Sequence, residues 1–228
     1  MSFRFKQASC VAIGTFNIYV LRPNLLVDLG IVSSDTAAVK LETNLTQPGF
    51  RFSSQQLRAT WTVRPDKVIV ETTDPEKDCG SDLAVVLEAL RWTPITALGS
   101  NFEFVSKTAP GRLAPFPKSE IDAAVLQSEC VIVQSTIHVG IRESDQILNF
   151  QLSSDFSEFE LACNVHREVQ KGNSQPASNA DSQNFARQFN SDRTKIEVIA
   201  SRLFSIAITH DNVSTDTTAL NVQERDSA

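Results

Sequence analysis

The chain has 228 residues, with 21 Lys and Arg against 27 Asp and Glu, for a net charge of −6. Its length can hold one compact domain or two small ones around a real core, and 41 % hydrophobic residues is ordinary globular usage, which rules out a disordered or fibrous protein. The acidic balance and the lack of any basic cluster argue against binding to phosphate backbones, and no apolar run approaches the ~20 residues that span a bilayer.

The opening segment, "MSFRFKQASCVAIG", places basic residues before apolar ones, but Gln7 and Ser9 interrupt the apolar part. It does not read as a signal peptide, so a cytoplasmic protein is expected. The stretch "FRFKQASCVAIGTFNIYV" is a first strand. "RPNLLVDLGI" follows as a short helix, with Pro23 near its start and Gly30 as its stop. Residues 38–45 read as another strand, closed by "TQPG". In "QQLRATWTVRPDKVIVETT", Leu57, Ala59, Trp61 and Val63 alternate with Arg58, Thr60, Thr62 and Arg64, the period of a half-buried strand. Arg64-Pro65-Asp66-Lys67 makes a turn, and Val68 and Val70 continue the apolar face on the return. A long helix comes next: Asp74 can cap it with Pro75 in first position, or, since Gly80 and Ser81 weaken that turn, it starts later; Cys79, Leu83, Val86, Leu87 and Leu90 form one stripe, ended by Pro94.

The second half repeats this order. "ITALGSNFEFV" is its strand, Pro110 to Pro117 a rigid loop, and Ser119 with Asp122 a capping box for a short helix reaching Gln127. Three meander strands follow, with apolar faces at Val131, Val133, Ile137, Val139 and Ile141; at Leu148, Phe150 and Leu152; and at Phe159, Leu161, Cys163 and Val165. "QKGNSQPASNADSQN" reads as a loop, and a last helix is expected from near Asp192, with Ile196, Ile199, Leu203 and Ile206 on one side. The polar end, residues 211–228, reads as a frayed tail.

A short match supports a duplication: "VAIGTFN" (Val11 to Asn17) is similar to "TALGSNF" (Thr96 to Phe102). The expected architecture is therefore α+β, built from two pseudo-duplicated units, 1–94 and 95–210. Each runs strand, short helix, three-strand meander, long helix, and together they form a mostly antiparallel sheet with its helices on one face. Gly14 and Gly99 would mark matched places where backbones meet near the sheet centre, or simple strand-ending turns.

That element order resembles the saddle-shaped TATA-binding-protein-like fold, although three meander strands stand in each half where that family has four. The chain lacks the basic, intercalating surface that DNA bending needs. The segments "VIVETTDPE" and "LEALRWTPITALGSNFEF" also resemble a set of uncharacterised bacterial proteins that share a helix, a Thr-Pro and an Ala-aliphatic-Gly-x-Asn-Phe strand. That resemblance implies a bacterial or phage origin and no particular activity.

The chemistry-bearing residues are few. Four cysteines at 10, 79, 130 and 163 show no zinc-type spacing, so they read as small buried hydrophobes. The sequence has no Gly-rich phosphate loop, nucleophile elbow or HExxH motif, and neither a cofactor nor a metal is expected. His138 and His166 lie on the polar sides of their strands, and Asn149 stands between them, so the three would sit side by side on an open sheet face, either as a polar binding site or as an ordinary solvated surface. Asn17 and Asn101, beside the paired glycines, are further candidates, set against their simpler use in satisfying local backbone groups. Arg58, Thr60, Thr62, Thr136, Asn164 and these residues would present a polar face. The function expected is a non-catalytic protein-interaction or assembly module, binding a protein partner or a second copy of itself. The alternative is a ligand-binding or enzymatic domain with a pocket between sheet and helices.

Overall fold

A computed structural model describes residues 1–32, 40–43, 48–54, 57–107, 135–154, 158–169 and 179–210. The expected loop at 110–117, the short helix at 119–127 and the tail at 211–228 lie outside the described residues. The element order is β1 (Ser2–Gly14), α1 (Pro23–Asp28), β2 (Lys40–Thr43), β3 (Phe50–Ser54), β4 (Ala59–Val63), β5 (Lys67–Thr72) and α2 (Cys79–Ala89). There follow β6 (Ile95–Lys107), β7 (Ser135–Glu143), β8 (Gln146–Ser154), β9 (Glu158–Glu168), α3 (Asn179–Arg187), α4 (Phe189–Phe204) and β10 (Ala207–Thr209).

The strands form one sheet in the order β2-β3-β4-β5-β1-β6-β9-β8-β7, with the three-residue β10 running parallel to the start of β1. Every other pairing is antiparallel. Residues 1–94 and 95–210 thus contribute to a single α+β slab whose middle is the long β1–β6 pair.

The period of two decides which side chains are sheltered. Ala8, Cys10 and Ala12 of β1 register with Phe102, Ser100 and Leu98 of β6, and these with Cys163, Val165 and Arg167 of β9. Trp61 and Val63 of β4 continue the same face through Val70 and Val68 of β5, and Leu148, Phe150 and Leu152 of β8 do so on the other side. All of these are buried. Phe52 stacks on Trp61 with ring centroids 6.0 Å apart. Leu83, Val86 and Leu87 of α2 and Phe189, Ile196, Ala200 and Phe204 of α4 cover this layer, so the core is a sheet sealed on one face by helices. Cys10, Cys79 and Cys163 are buried free thiols, and burial pushes the Cys79 thiol up to about 12. All three are expected to resist iodoacetamide at pH 8 until denaturant is added, which peptide mass spectrometry would read; labelling of the native protein would contradict their burial.

The helix starts differ from expectation. Asp78, not Asp74, caps α2: its Oδ1 accepts from Ser81 N–H at 2.9 Å, and its Oδ2 accepts from the Ser81 hydroxyl at 2.8 Å. Asp74 instead forms a turn, accepting from Glu76 N–H at 2.8 Å, and pairs with Arg58 at 2.7 Å. The last helical region begins earlier than Asp192, because α3 already occupies the polar stretch from Asn179. The buried stripe of α4 is Phe189, Asp192, Ile196, Ala200 and Phe204, which turns Leu203 outward.

The two glycines stand in different surroundings. Gly14 closes β1, where a Cβ would lie 2.3 Å from the Pro94 carbonyl oxygen. Gly99 sits inside β6 opposite Val11, where a Cβ would meet only Asn164 Nδ2 at 3.5 Å and the Val165 oxygen at 3.7 Å. The sequence match around them does not place them at equivalent points of the central pair.

Candidate functional site

The face of the sheet away from the helices carries a shallow trough of about 460 Å³. Its lining runs from Ile69 and Glu71 on β5, across β1, β6, β9 and β8, to His138 and Gly140 on β7. Between the sheet and the helices, Trp61, Phe102, Phe104, Phe150, Leu83 and Leu87 are buried in one apolar cluster.

Register builds the trough floor. Glu71 of β5 pairs with Ser9 of β1, Ser9 with Asn101 of β6, Asn101 with Asn164 of β9, Asn164 with Asn149 of β8, and Asn149 with Gly140 of β7. Neighbouring strands lie about 4.8 Å apart, so three carboxamides in one row come within hydrogen-bonding reach. Asn149 Nδ2 donates to Asn164 Oδ1 at 3.3 Å, Asn164 Nδ2 to Asn101 Oδ1 at 2.7 Å, and Asn101 Nδ2 to the Ser9 hydroxyl at 3.0 Å. The amides all point one way, towards β1. Among the described residues, Asn101 and Asn164 each use one N–H and one oxygen lone pair in the row, leaving one of each for a ligand.

Flanking rows mix polar and apolar groups. On one side Gln7, Glu103, Ala162, Gln151 and His138 register in turn. On the other lie Ile69, Val11, Gly99, His166, Ile147 and Arg142. Lys6, at the irregular point in β1, reaches Glu160 at 2.6 Å and Glu103 at 3.3 Å, closing one rim. Arg51 reaches Glu71 at 3.5 Å.

The expected site residues divide accordingly. Asn101 and Asn149 belong to the amide row, and His138 lines the trough one pair away from Asn149, opposite Gln151. His166 shares the face but pairs with Gly99 and Ile147, so the two histidines flank the row from opposite sides rather than sitting beside each other. Thr60 and Thr62 are on the same face farther out, on β4. Arg58 lies outside any strand, with φ 48°; its carbonyl accepts from the Thr72 hydroxyl at 2.6 Å, and it lines a separate cavity of about 320 Å³. Asn17 is not brought near Asn101: its Oδ1 accepts from Tyr19 N–H at 3.0 Å and closes a turn after β1. The carboxylates at the site, Glu71 and Glu103, and the hydroxyl of Ser9 were not expected. Alternation along β1 contained the signal for Ser9, but Val11 and Ile13 on the same face obscured it. Only the pairing of distant strands could put the carboxylates there.

Among the described residues, no group of three or more His, Cys, Asp or Glu side chains could hold a metal ion, and no helix is long and apolar enough to cross a membrane. No protein-family model matches the chain, and no curated protein does. A crystal structure of a "putative adenylate cyclase" from Bacillus halodurans aligns at 14 % identity over 92 % of this chain and 80 % of that one, with a TM-score of 0.19, at which neither a shared fold nor a shared activity follows.

Proposed function

We propose that the protein is a non-catalytic binding module that receives a protein partner on the open face of its sheet. The observation that carries this reading is the carboxamide row Asn149–Asn164–Asn101, which runs along the floor of the trough and ends on Ser9. A row that offers both a donor and an acceptor at each step matches a polypeptide backbone, which offers the same two groups at every residue. Val11 and Ile69 supply apolar contact beside the row, and the polar rim supplies orientation.

The test compares proteins retained from the source host by the wild type, by Asn164→Ala and by His166→Ala. Asn164 stands at the centre of the row, whereas His166 is outside the trough lining. A partner retained by the wild type and His166→Ala, but weakened about tenfold or more by Asn164→Ala, is the expected result. Equal retention by all three would refute the reading, and unchanged thermal unfolding would show that the variants fold.

The trough volume of about 460 Å³ favours a second reading, a small polar ligand, since sites for such molecules span about 300–1,000 Å³. Native mass spectrometry separates the two: a small adduct, lost on denaturation and absent from Asn164→Ala, would favour the ligand.

A further inference from the structure

The two edges of the sheet are built differently. β2, at one edge, has four residues. β7, at the other, has nine, and among the described residues it pairs with β8 alone. Proteins blunt sheet edges with short strands, prolines, bulges or charges. β7 has none of these between Ser135 and Ile141: no proline, no Lys, Arg, Asp or Glu, and an unbroken register with β8. Its helix-side residues, Ile137, Val139 and Ile141, are only half-buried, whereas Leu148, Phe150 and Leu152 on the neighbouring strand are fully buried. Among the described residues, the apolar layer is thus less completely covered along this edge than at β8.

The β7 sequence is also self-complementary. If β7 is laid antiparallel on itself with Val139 on a twofold axis, Ile137 meets Ile141 on the helix side and His138 meets Gly140 on the open side. Thr136 meets Arg142, and Ser135 meets Glu143, so no like charges oppose each other. Gly140 leaves space beside the His138 ring, its nearest outside atom to a would-be Cβ being Asn149 Oδ1 at 3.6 Å.

We propose that two copies of this chain pair edge to edge through β7, antiparallel about Val139, so that the sheet runs on from one copy into the other. His138 and Gly140 line the trough, so the two troughs open into each other across the pair. The interface is isologous, with the same strand used twice, as a closed dimer requires. This concerns the edge of the sheet and stands independently of the partner reading of its face.

Thr136 is exposed, so Thr136→Arg leaves the fold intact while setting two arginine pairs, 136 against 142, across the axis. Sedimentation equilibrium of the full chain should give twice 25.1 kDa for the wild type. Thr136→Arg should weaken the dimer about tenfold or more, because each opposed like-charge pair is unfavourable. The double variant Thr136→Arg/Arg142→Glu turns both contacts into attractions and should restore the dimer. A wild type of one-chain mass, a dimer indifferent to Thr136→Arg, or a double variant no tighter than the single would each overturn the inference. A monomeric wild type that still retains its partner through Asn164 would overturn this inference and leave the binding reading standing.

Discussion

Asp192→Ala is expected to destabilise the protein by about 3–5 kcal/mol, the cost of leaving a buried charge without its partner. The charge left behind is Arg167, which continues the apolar face of β9 after Val165 and is 5 % exposed, with Asp192 at 3 %. The guanidinium makes both bonds of a fork: Nη1 donates to Asp192 Oδ2 at 2.6 Å and Nη2 to Oδ1 at 2.5 Å. Nη2 also donates to Gln146 Oε1 at 2.8 Å, the Ser100 hydroxyl donates to Asp192 Oδ2 at 3.0 Å, and the Phe185 ring lies 5.6 Å beneath the guanidinium. One carboxylate on α4 is therefore tied to β6, β8 and β9 through a network centred on a buried pair. Denaturant unfolding of Asp192→Ala, Arg167→Leu and the double variant would read this directly. The singles should each lose several kcal/mol, and the double much less than their sum, since removing both leaves no buried charge unpaired, only the Ser100 hydroxyl and the Gln146 amide without these partners. If Asp192→Ala cost under about 1 kcal/mol, the pair would not be holding α4 to the sheet.

Gly80→Ala is expected to cost about 2 kcal/mol net, although alanine favours helix over glycine by about 1 kcal/mol at an ordinary position. Gly80 is the second residue of α2, and a Cβ there would lie 2.0 Å from the Ala186 carbonyl oxygen and 2.3 Å from Phe189 Cβ. Both obstacles belong to the junction between α3 and α4, which is itself bound to α2: Asn190 Nδ2 donates to Asp78 Oδ2 at 2.9 Å. The methyl group can be accommodated only by sliding these helices apart, which opens the layer over Phe102, whose ring packs 5.0 Å from that of Phe189. A rise in the unfolding midpoint of Gly80→Ala would mean that the helices do not approach this closely.

Gly80 also shows where sequence reading reaches its limit. Within α2, glycine reads only as a weak helix former, and the reason for it sits more than a hundred residues away. The alternation in β4 and β5 and the turn at Pro65 were legible because strand period and turn chemistry are local. The Asp74-Pro75 cap was misleading because Asp78 offers the same carboxylate four residues later, with Ser81 in place to donate to it. α3 was hidden because "NADSQNFAR" is polar and depends on neighbours for its burial; its Ala186 and Ser182 are covered by the fold, not by a stripe visible in the chain. At the candidate site, strand alternation correctly put His138, Asn149 and His166 on the open face. Their mutual positions required register between β7, β8 and β9, and a shift of one pair moved each histidine off the asparagine row. Ser9, Glu71 and Asn101 join that row only because β1 pairs with both β5 and β6.

That placement of β1 has a consequence for how the chain acquires its fold. β1 precedes in the chain every strand that pairs with it, yet it occupies the middle of the sheet and needs β5, then β6, and finally Ala207–Thr209 of β10 to complete its hydrogen bonds. Closing such distant contacts is slow, and until then Phe3, Cys10 and Ala12 remain uncovered. A growing chain thus carries β1 without its full set of partners until β10 is made, and its yield should depend more on holdase chaperones than its final stability would suggest.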